Sequence, residues 1–303
     1  MMEVNTMYLN VKETAEKWKI SERSVRNYCS HGKIPGAIID GKSWKIPNNA
    51  VKPVRKKRNA MIPRDLLTRL TIEKESGISG GIYHKIQIDL TYNSNHIEGS
   101  RLSHDQTRYI FETNTINIQN ETVNVDDIVE TANHFKCIDL IIDLANYPLS
   151  ESLIKQLHLI LKSGTSDSRK SWFAVGDYKR IENEVGGMPT TKPENVCKEL
   201  KALLKSYNNI KQKSLKEIIE FHYEFEKIHP FQDGNGRVGR LIMFKECLRN
   251  GITPFIIEDD LKEFYYRGLK EWKNEQGYLV DTCLTAQDRF KTYLDYFGIE
   301  YKD

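Results

Sequence analysis

The stretch of sequence that decides the fold joins two predicted helices and reads His229-Pro230-Phe231-Gln232-Asp233-Gly234-Asn235-Gly236-Arg237-Val238-Gly239-Arg240. Apolar spacing predicts the first helix over 215–228. A proline disfavours helical geometry in the residue before it, so this helix should end at about Ile228-His229. A second helix should begin near Gly236 or Arg237, and the glycines between the two helices permit a tight turn.

This loop combines several groups that bind phosphate or move protons. Backbone N–H groups in a glycine turn followed by a helix start form a nest for an anion. Arg237 and Arg240 lie three residues apart, on one helix face, and can reach the same anion. Asp233 offers a hard oxygen ligand for Mg²⁺, and His229, held by Pro230, suits a general base. One such feature alone is usually an ordinary loop, but all of them in this order predict a catalytic site.

The same residues carry a family resemblance. The stretch 229–240 resembles the complete signature H-P-F-x-D/E-G-N-G-R-x-x-R of the Fic (filamentation induced by cAMP) domain, and the resemblance extends over roughly residues 63–300. It implies a mainly α protein, a Fic-type helical bundle with a β-hairpin flap. It also implies a protein adenylyltransferase, in which the histidine deprotonates a target hydroxyl that attacks the α-phosphate of ATP and expels pyrophosphate. The intact Gly-Asn-Gly-Arg favours AMP transfer over the kinase-like branch.

The resemblance assigns individual roles. It implies that His229 is the base, that Asp233 binds Mg²⁺ and that Phe231 is a buried anchor. The ATP contacts that it implies are Gly234, Asn235 and Gly236 at the α- and β-phosphates, Arg237 at the β-phosphate, Arg240 at the γ-phosphate, and Tyr265, Tyr266, Leu269 and Asn274 around adenine. Helix packing is the alternative role of the two tyrosines. The apolar, glycine-containing stretch 172–188 predicts the hairpin flap, whose target-binding edge is Glu184, Val185, Gly186 and Gly187.

A second motif precedes the loop. Ser94-Asn95-His96-Ile97-Glu98-Gly99 resembles the inhibitory motif S/T-x-x-x-E-G/N of the family, at the end of a helix that Gly99 would cap. The Glu98 carboxylate would form a forked salt bridge with Arg240 and take the donors intended for the γ-phosphate. The alternative is an ordinary exposed glutamate at a helix end. Some relatives with this glutamate also remove AMP, and the sequence leaves that second activity open.

The N-terminal segment differs in charge and pattern from the remainder. Residues 1–58 carry 13 Lys and Arg against 5 Asp and Glu, a net charge of +8, whereas the remainder carries 32 against 37. Helices over 11–18 and 22–30, with Val11, Ala15 and Trp18 and then Val25 and Cys29 facing inward, precede a hairpin that turns at Asp40-Gly41. Through Gly32-Lys33-Ile34-Pro35 and Trp44-Lys45-Ile46-Pro47 the segment resembles the excisionase/MerR-like DNA-binding family.

This second resemblance predicts three regions. Residues 1–50 are a winged helix-turn-helix domain, 51–62 are a basic linker, and 63–303 are the Fic domain, with its inhibitory helix ending near 99. The implied DNA contacts are Arg23, Ser24, Arg26 and Asn27. An alternative function is therefore a DNA-binding regulator with a Fic sensor body, and another is a protein-docking role for the small domain.

The composition sets further expectations. The chain is 39% hydrophobic and 29% charged, with no apolar run near the roughly 20 residues of a membrane helix. The start lacks a signal-peptide pattern, and the five cysteines are scattered and never spaced as C-x-x-C. These features favour a cytoplasmic protein without a disulfide framework or a zinc site. The expected partners are ATP, Mg²⁺ and a protein with a Ser, Thr or Tyr hydroxyl, this chain included; a homodimer is left open.

Overall fold

The computed structural model describes residues 7–30, 32–41, 43–53, 63–118 and 122–301. The chain divides into two compact units, Met1–Ile62 and Pro63–Asp303. Of the predicted basic linker at 51–62, residues 54–62 lie outside the described part of the chain.

The first unit is a small α/β arrangement. Its elements in chain order are β1 (Tyr8–Leu9), α1 (Val11–Trp18), α2 (Glu22–Ser30), β2 (Ile38–Asp40) and β3 (Ser43–Pro47). The strands form an antiparallel sheet in the order β1-β3-β2, with Leu9 opposite Ile46 and Ile39 opposite Trp44. The predicted inward faces of both helices are buried, as expected. Strand β1 was not predicted, because two residues are too short to show an alternating pattern.

The second unit is mainly helical, and its described residues form ten α-helices. They are α3 (Leu66–Ser76), α4 (Ile82–Ile97), α5 (His104–Thr113), α6 (Val125–Asp143), α7 (Glu151–Lys162), α8 (Pro193–Asn209), α9 (Leu215–Ile228), α10 (Asn235–Asn250), α11 (Lys262–Glu271) and α12 (Gly277–Phe297). A two-stranded antiparallel sheet pairs β4 (Glu184–Val185) with β5 (Met188–Pro189).

The hairpin is much shorter than the prediction of 172–188. Residues 172–183 contain no strand and run through turns. Phe173 and Ala174 are buried, and the Phe173 ring stacks on His158 with centroids 6.0 Å apart. These apolar residues therefore anchor a loop through individual buried side chains. Their composition is typical of a strand, but the segment forms no strand pairing.

Helix α10 occupies the centre of the second unit. Every residue from Asn235 to Leu248 is buried. It packs most extensively against α9, where Gly239 allows close approach: a Cβ there would lie 2.7 Å from the His222 ring. Helices α4, α6 and α7 also contact α10. The start of α10, and with it the loop 229–234, is consequently fixed by the core.

No helix in the described part of the chain is both long enough and apolar enough to span a membrane.

Candidate active site

The loop between α9 and α10 is held by its own backbone geometry. Helix α9 ends at Ile228, and His229 caps it in the left-handed conformation with φ of 50°, donating its N–H to the Phe225 carbonyl at 2.9 Å. Gly234 also has positive φ, 81°, and α10 begins at Asn235, slightly earlier than predicted. A left-handed histidine is uncommon and turns its side chain out of the helix direction. The loop therefore presents His229 beside the start of α10.

Asn235 closes the loop. Its Oδ1 accepts a hydrogen bond from the Phe231 N–H at 2.8 Å, and its Nδ2 donates to the Phe231 carbonyl at 2.9 Å. The Phe231 ring is fully buried and stacks on His158 at 4.0 Å between centroids, which confirms its predicted role as an anchor. Because both ends of the Asn235 amide are engaged with the Phe231 backbone, this side chain orders the loop.

His229 lies in a largely enclosed position. Its side chain is 16% exposed, and Nδ1 is 3.8 Å from Glu226 Oε2. Burial, reinforced by the charge of Lys179, lowers the pKa of His229 to about 4. Burial, reinforced by the charge of Glu98, raises the pKa of Glu226 to about 8. At neutral pH the imidazole is therefore uncharged, which is the form that a general base requires.

Asp233 and Arg237 belong to a closed set of four charged side chains, which we call the ionic ring. Lys162 Nζ donates to Asp233 Oδ2 at 2.6 Å and also to Glu130 Oε1. Arg237 donates Nη1 to Glu130 Oε2 and contacts Asp233 Oδ2 through Nη2 at 3.3 Å. Both arginine terminal nitrogens are thus engaged within the protein. In this arrangement Arg237 orders Asp233, while its buried Nε has no hydrogen-bond partner among the described residues.

Asp233 remains suitable for a hard metal ion. Burial alone would raise its pKa, but Arg237 and Lys162 outweigh burial and hold the pKa of the carboxyl well below its usual range. The side chain is 45% exposed, so an ionised oxygen faces solvent. No group of three metal-binding side chains occurs among the described residues. Since Mg²⁺ is commonly bound by one or two carboxylates together with substrate phosphates, Asp233 fits as the protein ligand of a magnesium nucleotide.

Arg240 is buried beneath the end of helix α4. It donates Nε to Ser94 Oγ at 3.0 Å and Nη2 both to the Ser94 carbonyl at 2.8 Å and to Glu98 Oε1 at 2.7 Å. The sequence led us to expect a forked salt bridge. The bridge instead uses one arginine nitrogen, Nη2, which is shared with the Ser94 carbonyl, while Nη1 has no hydrogen-bond partner among the described residues. The motif serine and the motif glutamate therefore hold Arg240 jointly.

The Glu98 carboxylate also lies against the start of α10. It follows the last turn of α4, and Gly99 continues the chain with φ of 96°. A Cβ added to Gly236 would come 2.2 Å from Glu98 Oε1. Only glycine at 236 leaves room for the carboxylate here. A helix N-terminus attracts anions, so Glu98 occupies the region in which a phosphate would be expected.

The predicted adenine residues are placed differently from one another. Tyr265 is buried and its hydroxyl pairs with His222 Nε2 at 2.7 Å, so helix packing accounts for it. Tyr266 is partly exposed and donates to the Ile97 carbonyl at 3.2 Å, beside the motif glutamate. Leu269 packs against the cluster around Tyr265, whereas Asn274 is exposed and donates to Glu271 at 3.0 Å. Of the four, Tyr266 lies at the edge of the site.

Comparison with known proteins matches this core to one family. Residues 148–247, from just before α7 to the last turn of α10, match the model of the Fic/DOC family. The chain contains a Fic domain. Two curated relatives are the protein adenylyltransferases Fic of Drosophila grimshawi and Drosophila mojavensis, each 30% identical over 187 residues, or 59% of this chain. The alignment spans only 36% and 35% of their lengths.

Solved structures share the fold. A Fic domain containing signaling protein from Bacteroides thetaiotaomicron VPI-5482 is 24% identical, with a TM-score of 0.57 over 77% of this chain and 91% of that chain. Residues 134–508 of Fic-1 from C. elegans are 20% identical, with a TM-score of 0.57 over 77% of this chain and 72% of that chain. At these identities the likeness establishes the fold of the Fic domain.

The segment that leads into the β4–β5 hairpin is tied to the loop between α9 and α10. Lys179 donates its backbone N–H to the Pro230 carbonyl at 2.9 Å, and Asn183 donates Nδ2 to the Phe231 carbonyl at 3.1 Å. The tip turns through the predicted glycines, Gly186 and Gly187, which have φ of 58° and 77°. Two consecutive left-handed residues are typical of a tight hairpin turn. The predicted strand Glu184–Val185 is exposed, so its edge is accessible beside the loop.

Several residues of the site were missed by the sequence analysis. Lys162, Glu130, Lys179 and Glu226 carry no motif of their own, and the first two lie on α7 and α6, far from the loop in sequence. Of these residues, only Glu226 could have been predicted from the sequence. It lies three residues before His229, a spacing that brings side chains together on a helix.

The predicted DNA contacts lie on helix α2 of the first unit. Arg23, Arg26 and Asn27 are exposed, and Ser24 is half-buried with its hydroxyl 3.0 Å from Ser21 Oγ. Arg26 pairs with Glu22 at 2.6 Å. Because Val25 and Cys29 face the core, the polar residues share the outer face of the helix.

Proposed function

We propose that this chain is a protein adenylyltransferase that transfers AMP from ATP to a Ser, Thr or Tyr hydroxyl of a protein, and that Glu98 inhibits it. One observation carries the proposal. A single loop brings the buried, neutral His229 and the partly exposed, ionised Asp233 to the start of α10, the helix that also carries Arg240. The relatives named protein adenylyltransferase Fic support the same reaction class.

In the proposed reaction His229 takes the proton from the target hydroxyl. The hydroxyl oxygen forms a bond to the α-phosphorus of ATP, and the bond from that phosphorus to the bridging oxygen of pyrophosphate breaks. Pyrophosphate leaves with the bonding electron pair. Asp233 would hold Mg²⁺, which supplies positive charge to the phosphates. The N-terminal amides of α10 and Arg240 contribute donors for the developing charge.

Inhibition follows from what Glu98 occupies. Its carboxylate takes one Arg240 donor and lies against Gly236, where a second anion would be repelled. A triphosphate therefore competes with Glu98 for Arg240 or binds with its phosphates displaced. The reaction slows in either case, because a displaced α-phosphate is poorly aligned with the attacking oxygen.

The reaction class is tested with two forms of labelled ATP. The variant Glu98→Gly is incubated with Mg²⁺ and a panel of candidate proteins, this chain included, using ATP labelled at either the α- or the γ-phosphate. We expect protein-bound label from α-labelled ATP alone. Label from the γ-phosphate would instead indicate a kinase, and absence of both labels with every protein would contradict the proposal.

We expect Ser94→Ala to release the inhibition in part. The substitution removes the acceptor of Arg240 Nε but leaves the Ser94 carbonyl and Glu98 in place. A hydrogen bond to a charged group contributes about 1.5–3 kcal/mol, but the two remaining contacts of Arg240 retain part of the inhibition, so AMP incorporation should rise by less than about tenfold, on the order of several-fold. Initial rates with α-labelled ATP measure the effect. Thr113→Ala, which removes an exposed hydroxyl that donates to the Tyr109 carbonyl at the end of α5, is the control and should leave the rate unchanged.

We further propose that the first unit binds duplex DNA through the outer face of α2. The observation in favour is the exposure of Arg23, Arg26 and Asn27 on one helix face, in a segment with a net charge of +8 over residues 1–58. Fluorescence anisotropy of the full chain with labelled duplex DNA should show affinity falling steeply as salt increases.

A substitution test separates this face from general basicity. Arg23→Ala should weaken DNA binding and lower the slope of affinity against salt by about one phosphate contact. Lys12→Ala, an exposed lysine on α1, should change neither. Equal effects of the two substitutions would contradict binding through α2, and no binding at low salt would favour protein docking instead.

A further inference from the structure

The ionic ring places two buried cations around one exposed carboxylate. The Lys162 side chain is only 3% exposed, and Glu130 and Arg237 are nearly as enclosed, whereas Asp233 is 45% exposed. Removing charges from water is expensive unless they are paired closely. Three separate helices, α6, α7 and α10, nevertheless bring charged side chains to this point. A neutral hydrogen-bond donor would be enough to hold Asp233 in place. Positioning alone therefore does not explain why charged side chains are buried here.

The ring is neutral as a whole. Glu130 bridges Lys162 and Arg237 with its two oxygens, and Asp233 Oδ2 contacts both cations. Asp167 lies 3.5 Å from Lys162 at the rim, but it also pairs with Lys170 at 2.6 Å, so that outer pair adds no net charge. Only Asp233 presents its carboxylate to solvent. A cation that binds Asp233 therefore interacts electrostatically with all four charges of the ring at short distance.

We propose that Lys162 and Glu130 are positioning residues that set the affinity of Asp233 for Mg²⁺ in the magnesium nucleotide complex. Lys162 fixes the Asp233 carboxylate and weakens its attraction for the metal, and Glu130 compensates the positive charge. This inference rests on the proposed function, because it concerns the metal that accompanies ATP. Neither residue contacts substrate in this proposal. Both act on the metal through Asp233.

The ring charge predicts opposite effects for the two residues. Replacing Lys162 by Met leaves the ring with one net negative charge and should strengthen Mg²⁺ binding. Replacing Glu130 by Gln leaves one net positive charge and should weaken it. The double replacement restores neutrality. If the pair only supported the fold, both single substitutions would weaken binding and the double would not recover it.

Calorimetry measures this directly. Variants are made in the Glu98→Gly background, and Mg²⁺ is titrated into protein with a non-hydrolysable ATP analogue. We expect Lys162→Met to lower the half-saturating Mg²⁺ concentration about tenfold and Glu130→Gln to raise it about tenfold, a common effect of one neighbouring charge. The double variant should return to within about twofold of the background. Lys205→Met, which removes an exposed lysine on α8 outside the ring, should leave the value unchanged.

Shifts in the same direction for both single variants, or a double variant weaker than either, would overturn the inference. Thermal melts identify a variant that does not fold. Asp167→Asn, at the exposed rim, then replaces it: this change should raise the half-saturating concentration by less than Glu130→Gln, and no rise would also overturn the inference. Failure of the proposed function is distinguishable, since the Glu98→Gly parent would then bind no magnesium nucleotide.

Discussion

Replacing Glu98 by glycine is expected to raise AMP incorporation on the order of tenfold. The substitution removes a charge-assisted hydrogen bond to Arg240 and clears the carboxylate from Gly236. Such a bond contributes about 1.5–3 kcal/mol, and about 1.4 kcal/mol corresponds to a factor of ten. Glycine is tolerated at this position because Glu98 already lies at the end of α4, outside its regular turns. Initial rates with α-labelled ATP measure the change.

The glutamine variant separates charge from shape. Glu98→Gln keeps the size of the side chain and one acceptor oxygen, so its rate should lie between those of the unaltered chain and Glu98→Gly. A glycine variant no faster than the unaltered chain would remove the inhibitory role from Glu98. An ordinary helix-end glutamate would then be the better interpretation of the motif.

Replacing His229 is expected to abolish AMP transfer while nucleotide binding persists. A positioned general base contributes about 10²–10⁴-fold to a rate, and the other imidazole against this loop, His158, is buried and stacked on Phe231. His229 adopts a left-handed conformation, which asparagine tolerates better than alanine. His229→Asn is therefore tested together with His229→Ala. Both variants should be inactive in the Glu98→Gly background.

Two controls accompany this prediction. His104→Ala removes a half-exposed histidine that pairs with Asp89, remote in sequence from the loop, and should retain the transfer rate. Binding of an ATP analogue by calorimetry should be similar with and without His229. Transfer by the asparagine variant at an undiminished rate would show that another group accepts the proton.

The catalytic loop and the helices were predictable because their signals are local. Pro230 ends one helix, the glycines permit the turn, and the apolar spacing of 215–228 marks α9. The contact between Glu98 and Arg240, 142 residues apart, came from motif resemblance alone, and the structure has Nη2 of Arg240 donating to Glu98 at 2.7 Å. The division of that arginine between Ser94 and Glu98 depends on side-chain geometry, which a motif does not specify.

The remaining features depend on packing between distant segments. Lys162 and Glu130 meet Arg237 only because α6, α7 and α10 converge, and no spacing within one helix signals that convergence. The hydrogen bonds by which the Asn235 amide closes the loop on Phe231 were likewise not predicted. The stretch 172–183 has strand-like composition yet lacks a pairing partner. In each case the residue type indicated a possible role, but the contact partner depends on the tertiary fold.

The most direct test of the central claim is a crystal structure of the Glu98→Gly variant with a non-hydrolysable ATP analogue and Mg²⁺. We predict that the triphosphate lies at the start of α10, with Arg240 on its terminal phosphate, the metal on Asp233 and the His229 imidazole facing the line of attack on the α-phosphorus. A nucleotide bound elsewhere, or an imidazole turned away from that phosphorus, would contradict the proposed enzyme.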